Sequence, residues 1–171
     1  MQNYFELFDL ETSFFVDDEA LKKAYQAQVT RFHPDNFATK SQAEQLQALQ
    51  NTSLVNSAYT ALKTPLNRAS YLLNLEDVNP FDEKDTNMDA NFLVSQIELR
   101  EQLESIKEQQ DNLALDDFIE RVQDFIRDNV ASISEAFTQS RDLQEIKTLV
   151  RELKFYEQLN KEANILMDEW L

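Results

Sequence analysis

Apolar side chains recur along most of this chain at spacings of three and four, the period of an amphipathic helix. Leu21, Tyr25, Val29 and Phe32 fall at i, i+4, i+8 and i+11, which predicts a helix over 18–32 with one buried stripe. Asp17 or Asp18 is placed to cap its start. Pro34 stops it, because the residue before a proline avoids helical backbone. Ser41-Gln42-Ala43-Glu44 fits a capping box and opens a helix that runs to about Lys63. Pro65 stands where an N1 proline starts a further short helix, to Leu75. A short apolar segment, Tyr4 to Leu10, comes before all of these.

The second half predicts three longer amphipathic helices, over about 90–110, 115–138 and 142–170. Ile119, Val122, Ile126, Val130, Ile133 and Phe137 carry the stripe of the middle one, and Asp142-Leu143-Gln144-Glu145 opens the last. Short connections between long helices imply antiparallel neighbours, hence a three-helix bundle. Between the halves, Asp77 to Asn91 is rich in Asp and Asn and contains Pro80, and reads as a linker. Its few apolar residues point to flexibility. The expected organisation is a first unit over 1–76, a linker over 77–91 and a bundle over 92–171, all-α throughout.

Charge sharpens the division. Residues 1–76 carry six basic and nine acidic side chains, against ten and 23 in residues 77–171. The whole chain of 171 residues has a net charge of −16. Such a surface repels phosphate backbones and anionic lipid, so neither nucleic acid nor a membrane is an expected partner. Composition excludes more. There is no Gly, where average usage predicts about twelve, so glycine-rich phosphate-binding loops are ruled out. There is no Cys and only one His, which removes disulfides, thiolate nucleophiles and multi-His metal sites. No cofactor and no metal site is expected. The start, Met1-Gln2-Asn3-Tyr4-Phe5-Glu6, is neither a signal nor a transit peptide, and the expected location is a bacterial-type cytoplasm.

The single His lies in Phe32-His33-Pro34-Asp35-Asn36, at the turn between the second and third helical segments. An exposed His, a breaking Pro and a turn-forming Asp are in themselves an ordinary helix stop. An acid–base pair made of His33 and Asp35 lacks the enclosed pocket that such chemistry wants, so no catalytic residue is expected. The neighbours add meaning. Leu21-Lys22-Lys23-Ala24-Tyr25 starts twelve residues upstream of His33, Tyr4-Phe5-Glu6-Leu7-Phe8 opens the chain, and Val55-Asn56-Ser57-Ala58-Tyr59-Thr60-Ala61-Leu62 follows downstream. In this order and spacing they resemble the J-domain of heat-shock co-chaperones, with its L-K-K-A-Y helix, H-P-D loop and I-N-x-A-Y-x-x-L helix.

The resemblance implies an antiparallel helical hairpin whose H-P-D loop docks on a heat-shock-70-class (DnaK-type) chaperone and triggers that partner's ATP hydrolysis. His33, Pro34 and Asp35 take the loop's roles by direct match. An Asp on a rigid turn suits a charge-assisted contact to a partner arginine. On the helix before it, Lys22, Lys23 and Arg31 lie opposite the apolar stripe and would steer docking on an acidic partner surface. The chain departs from the family pattern at Asn36, where Lys is common, and at Gln26 and Ala27, where a basic pair is common.

A second resemblance extends to nearly the whole chain. Pro65-Leu66-Asn67-Arg68-Ala69-Ser70-Tyr71-Leu72-Leu73 and Phe92-Leu93-Val94-Ser95-Gln96-Ile97-Glu98-Leu99-Arg100-Glu101 are similar to the HscB family of co-chaperones of iron–sulfur cluster assembly. Phe92, Gln96, Leu99, Leu103 and Ile106 form a bundle seam, and Leu93, Val94 and Ile97 fall about 120° away from it, beside Glu98 and Glu101. One bundle needs one stripe per helix, so this second stripe suits a protein partner. The family match implies that Leu93, Val94, Ile97, Glu98, Glu101 and Phe155 bind the iron–sulfur cluster scaffold, with Ser105 replacing an acidic position. It also implies an L-shaped arrangement of the two units. The function so implied is delivery of the scaffold to a dedicated chaperone with stimulation of its ATPase. The alternative is a J-domain adaptor for a different client.

Overall fold

The computed structural model describes residues 2–85 and 88–171, and all regular structure among them is helical. The chain divides into two compact units, Met1–Leu75 and Glu76–Leu171.

The first unit holds α1 (Tyr4–Leu7), α2 (Asp18–Phe32), α3 (Gln42–Lys63) and α4 (Pro65–Leu75). Asn3 caps α1 through a reciprocal capping box with Glu6. Asp17 caps α2 by accepting from the N–H groups of Glu19 and Ala20. At Ser41 the hydroxyl accepts from Glu44 N–H at 3.2 Å, the forward half of the expected box. Helix α3 packs on α2, α1 and α4. The core is Phe5, Phe8, Leu21, Val55, Ala58 and Leu62, with Tyr25, Val29 and Phe32 packed against it. Full burial of a side chain such as Leu21 or Leu62 is worth about 1.5–3 kcal/mol before entropy is counted.

The quoted sequence motifs meet in this core. The Tyr25 hydroxyl donates to Asn56 Oδ1 at 2.7 Å, and its ring stacks on Tyr59 at 4.0 Å between centroids. The L-K-K-A-Y and N-x-A-Y segments are thus two sides of one contact, which sets the register of α2 against α3. Arg68 and Tyr71 serve the same unit. Tyr71 stacks on Tyr4 and its hydroxyl accepts from the Tyr4 N–H at 3.0 Å. Arg68 is 7% exposed and donates to the carbonyls of Phe14 at 2.7 Å and Leu62 at 2.8 Å. Burial lowers its pKa, with Asp18 acting in the opposite direction.

The second unit is an up-down-up bundle of α5 (Ala90–Gln109), α6 (Asn112–Thr138) and α7 (Leu143–Trp170). Each helix packs on the other two, and the α6–α7 interface is the most extensive. Helix α6 starts three residues before the expected position, because Asp111 caps it by accepting from Ala114 N–H at 3.1 Å. The core gathers Phe92, Leu99 and Leu103 from α5, Leu115, Phe118, Ile119 and Val122 from α6, and Phe155, Leu159, Ala163 and Leu166 from α7. Among the described residues no helix is long and apolar enough to cross a membrane.

A chain without glycine still needs left-handed backbone where helices end. Asp9, Asp77, Gln110 and Ser140 adopt it, with φ of 56°, 61°, 50° and 50°. Gln110 is the clearest case: its N–H turns back onto Ile106 and Lys107 carbonyls and closes α5.

The stretch read as a linker is held on the bundle over its described part. Pro80 is buried. Asp85 pairs with Lys147 and Arg151, and Arg151 also donates to the Asp85 carbonyl at 2.9 Å. Lys154 lies over the Phe81 ring, 4.3 Å from its centroid. One face of α7 therefore presents three cations to this acidic segment. Thr86 and Asn87 lie outside the described residues, and α5 begins at Ala90, within the stretch read as linker.

Candidate binding surfaces

The first candidate surface is the turn that follows α2. Pro34–Phe37 form a single 3-10 turn with Pro34 at its start. Every carbonyl that α2 leaves open must find another donor or water. Asn36 Nδ2 donates to Thr30 O at 2.7 Å, and the Thr52 hydroxyl lies 3.1 Å from Phe32 O. Beyond the turn, the Gln45 side-chain amide donates to Ala38 O at 3.2 Å and Lys40 O at 3.1 Å. The turn is thereby fastened both to the helix it leaves and to the helix it enters.

His33, Pro34 and Asp35 are all exposed. His33 Nδ1 accepts the Asp35 N–H at 3.2 Å. A ring nitrogen that accepts has no proton to offer a neighbouring carboxylate. The same nitrogen stands 3.6 Å from Asp35 Oδ2, beyond hydrogen-bond length. The Asp35 side chain is 91% exposed, so its carboxylate points to solvent with its acceptor sites open to a partner. Lys22, Lys23 and Arg31 are exposed on α2, as are Gln26 and Ala27 between them. Arg31 lies over the Phe32 ring at 5.1 Å, which brings its charge to the end of α2 next to the turn.

The second candidate surface is on α5. The seam residues Phe92, Leu99 and Leu103 are buried, while Gln96 and Ile106 are half-buried. Leu93, Val94 and Ile97 are 41%, 53% and 58% exposed. At about 100° per residue they share an arc with Glu98 and Glu101, both exposed. The apolar part occupies the first half of the helix and the carboxylates follow it. Three large apolar side chains in one exposed arc carry a hydration cost that their own bundle does not relieve.

Phe155 is placed differently from the other five. Expected to complete the exposed patch, it is 8% exposed and belongs to the bundle core. Its ring stands edge-on to Phe92 at 5.7 Å, and Arg100 covers it at 5.5 Å while pairing with Glu162 at 2.7 Å. Helix α7 packs on two helices, so its buried arc is wider than a single stripe, and Phe155 lies inside it. It supports α5 from beneath.

Sequence reasoning missed the parts that hold these surfaces. Arg68 was visible only as one position of a motif; an arginine flanked by Leu66, Ala69 and Leu72 is the signal that it is buried. The fastening roles of Asn36, Gln45 and Thr52 carry no comparable signal, since polar residues near a turn are ordinary.

Comparison with known proteins covers both units. The DnaJ domain model matches residues 3–71, and the model described as the HSCB C-terminal oligomerisation domain matches residues 88–164. The co-chaperone protein HscB homolog of Vibrio campbellii is 38% identical over 170 residues, 99% of each chain. The structure of chaperone HscB from Vibrio cholerae superposes with a TM-score of 0.89 at 38% identity, over 99% of this chain and 100% of that one. Human co-chaperone protein HscB gives a TM-score of 0.89 at 30% identity, over 96% of this chain and 82% of the human one. With a J-domain in the first unit and the HscB-type bundle in the second, the chain belongs to the HscB family of co-chaperones.

Proposed function

We propose that this chain binds an iron–sulfur cluster scaffold protein through α5, delivers it to a dedicated DnaK-type chaperone, and stimulates that chaperone's ATP hydrolysis through the H-P-D turn. The observation that carries the reading is the exposed stripe of Leu93, Val94 and Ile97, bordered by Glu98 and Glu101 on a helix whose other face is already buried. The apolar side chains supply the buried centre of an interface, and the carboxylates a rim that favours a basic partner surface. Phe155 contributes by backing α5.

On the first unit, Asp35 offers an unshielded carboxylate to a partner arginine, and Lys22, Lys23 and Arg31 steer the encounter. Two surfaces on one chain raise the effective concentration of client near the chaperone. The chain has no Cys, so it assists the scaffold without ligating a cluster through thiolates. The bacterial relatives support action in a bacterial cytoplasm.

Calorimetric titration of the scaffold protein tests the client half. The native chain binds, Ile97→Ser binds at least about tenfold more weakly, and Asp35→Asn binds like the native chain. Equal binding by native and Ile97→Ser chains contradicts the α5 site. No binding by the native chain leaves a J-domain adaptor for a different client.

A further inference from the structure

We infer that Asn36 is a positioning residue for the H-P-D turn: its side-chain amide, bonded back onto the last turn of α2, holds the Asp35 carboxylate in its outward orientation. The inference rests on the chaperone-binding reading above. Asn36 bonds back across the tripeptide it follows, to its first residue and to the helix before it. Its N–H donates to His33 O at 3.0 Å, and its Nδ2 donates to Thr30 O at 2.7 Å. Among the described residues the backbone donor on that same Thr30 carbonyl is His33 N–H, which reaches it at 3.5 Å. The side chain therefore supplies the shorter bond at the point where the chain leaves the helix.

Within the closed turn, Pro34 has its φ fixed and the Asp35 N–H is taken by His33 Nδ1. The Asp35 carboxylate has no backbone task and faces solvent. His33 Nδ1 is 3.6 Å from Oδ2 but already accepts the Asp35 N–H, so in this arrangement it offers the carboxylate no donor. A turn released from α2 has the freedom to carry the carboxylate away from its outward orientation, and docking must then restore that order. Asn36 itself is exposed, so its truncation opens no cavity and its effect falls on the turn.

The test compares the full-length native chain with Asn36→Ala and with Asn36→Asp, which keeps the size and removes the donor. Single-turnover ATP hydrolysis by the DnaK-type chaperone is titrated with each, and hydrogen exchange of the Asp35 amide is followed by NMR. Both variants are expected to need about three- to tenfold more protein for half-maximal stimulation, the loss of one orienting hydrogen bond. The plateau rate is retained, Asp35 amide exchange is faster, and the thermal midpoint is unchanged. An unchanged half-saturation overturns the inference. So does weaker stimulation with unchanged Asp35 exchange, which makes Asn36 a contact residue, or a lowered thermal midpoint, which makes it a fold residue. If the native chain itself gives no stimulation, the chaperone reading fails, and the exchange data alone decide whether Asn36 positions the turn.

Discussion

A guanidinium taken out of water is costly unless its donors are used, and Arg68 uses them on the carbonyls of Phe14 and Leu62. Its plane also covers the Phe14 ring at 5.1 Å. Arg68→Ala removes two buried hydrogen bonds and leaves a hole beside Phe14. We expect it to destabilise the first unit by about 2–4 kcal/mol in urea unfolding; a loss below about 1 kcal/mol contradicts this account. Asp35 is the opposite case. At 91% exposure it makes no packing contribution, so Asp35→Asn is expected to leave the urea midpoint unchanged. The sequence shows Asp35 well, because a turn is a local feature with a recognisable residue set. For Arg68 it shows a motif position with apolar flanks but not the partners, because those depend on which distant carbonyls the fold brings to it.

Within α5, exposure separates two kinds of leucine and isoleucine that look alike in the sequence. Leu99 is 7% exposed and Ile97 is 58% exposed. Leu99→Ala is expected to cost about 2–4 kcal/mol and Ile97→Ser less than about 0.5 kcal/mol, both read from thermal unfolding. The end of the same helix carries backbone strain. Gln110 at φ 50° is a position that glycine occupies without steric penalty. Gln110→Gly is expected to raise stability by about 0.5–1 kcal/mol, and a loss of that size contradicts the assignment of strain there. Helix positions were legible because the 3.6-residue period is written into every turn. The docking of residues 80–85 on α7 was not. Asp, Asn and Pro read as loop whether or not the loop is held, and the cations that hold it, Lys147, Arg151 and Lys154, read as an ordinary solvated face. The burial of Phe155 is hidden for a related reason: a wheel shows where a side chain points and does not show how many neighbours surround its helix.

Between α6 and α7 lies a half-buried carboxylate with a pH consequence. Glu152 has its pKa raised, first by burial and then by Asp89, and Asn129 Nδ2 reaches it at a long 3.4 Å. The Asn129 Oδ1 beside it is buried and has no hydrogen-bond partner among the described residues. Glu157 on the same helix is also raised by burial. A carboxyl whose folded pKa exceeds its unfolded value binds more protons when folded. Its stabilising contribution is therefore complete below the ordinary value of 4.5 and is lost as pH rises through the raised value. The bundle is expected to gain stability on mild acidification from neutral pH. Glu152→Gln should stabilise it at neutral pH by about 0.5–1.5 kcal/mol and flatten that pH dependence, because the amide can donate to Asn129. Thermal unfolding between pH 5 and 8 checks both; a variant less stable than the native chain contradicts the account.

Across the whole molecule, charge and surface are divided between the two units. The acidity is concentrated in the bundle, and the exposed basic residues of α2 stand in the nearly balanced first unit. In the proposed function one chain couples two partners, the scaffold on α5 and the chaperone at Asp35. The most direct test is steady-state ATP hydrolysis by the dedicated DnaK-type chaperone, with and without scaffold protein, in the presence of the native chain, Asp35→Asn or Ile97→Ser. The account predicts stimulation by the native chain that scaffold amplifies, no stimulation by Asp35→Asn, and stimulation by Ile97→Ser that scaffold does not amplify. Stimulation by the native chain that is indifferent to scaffold, or that survives Asp35→Asn, would contradict it.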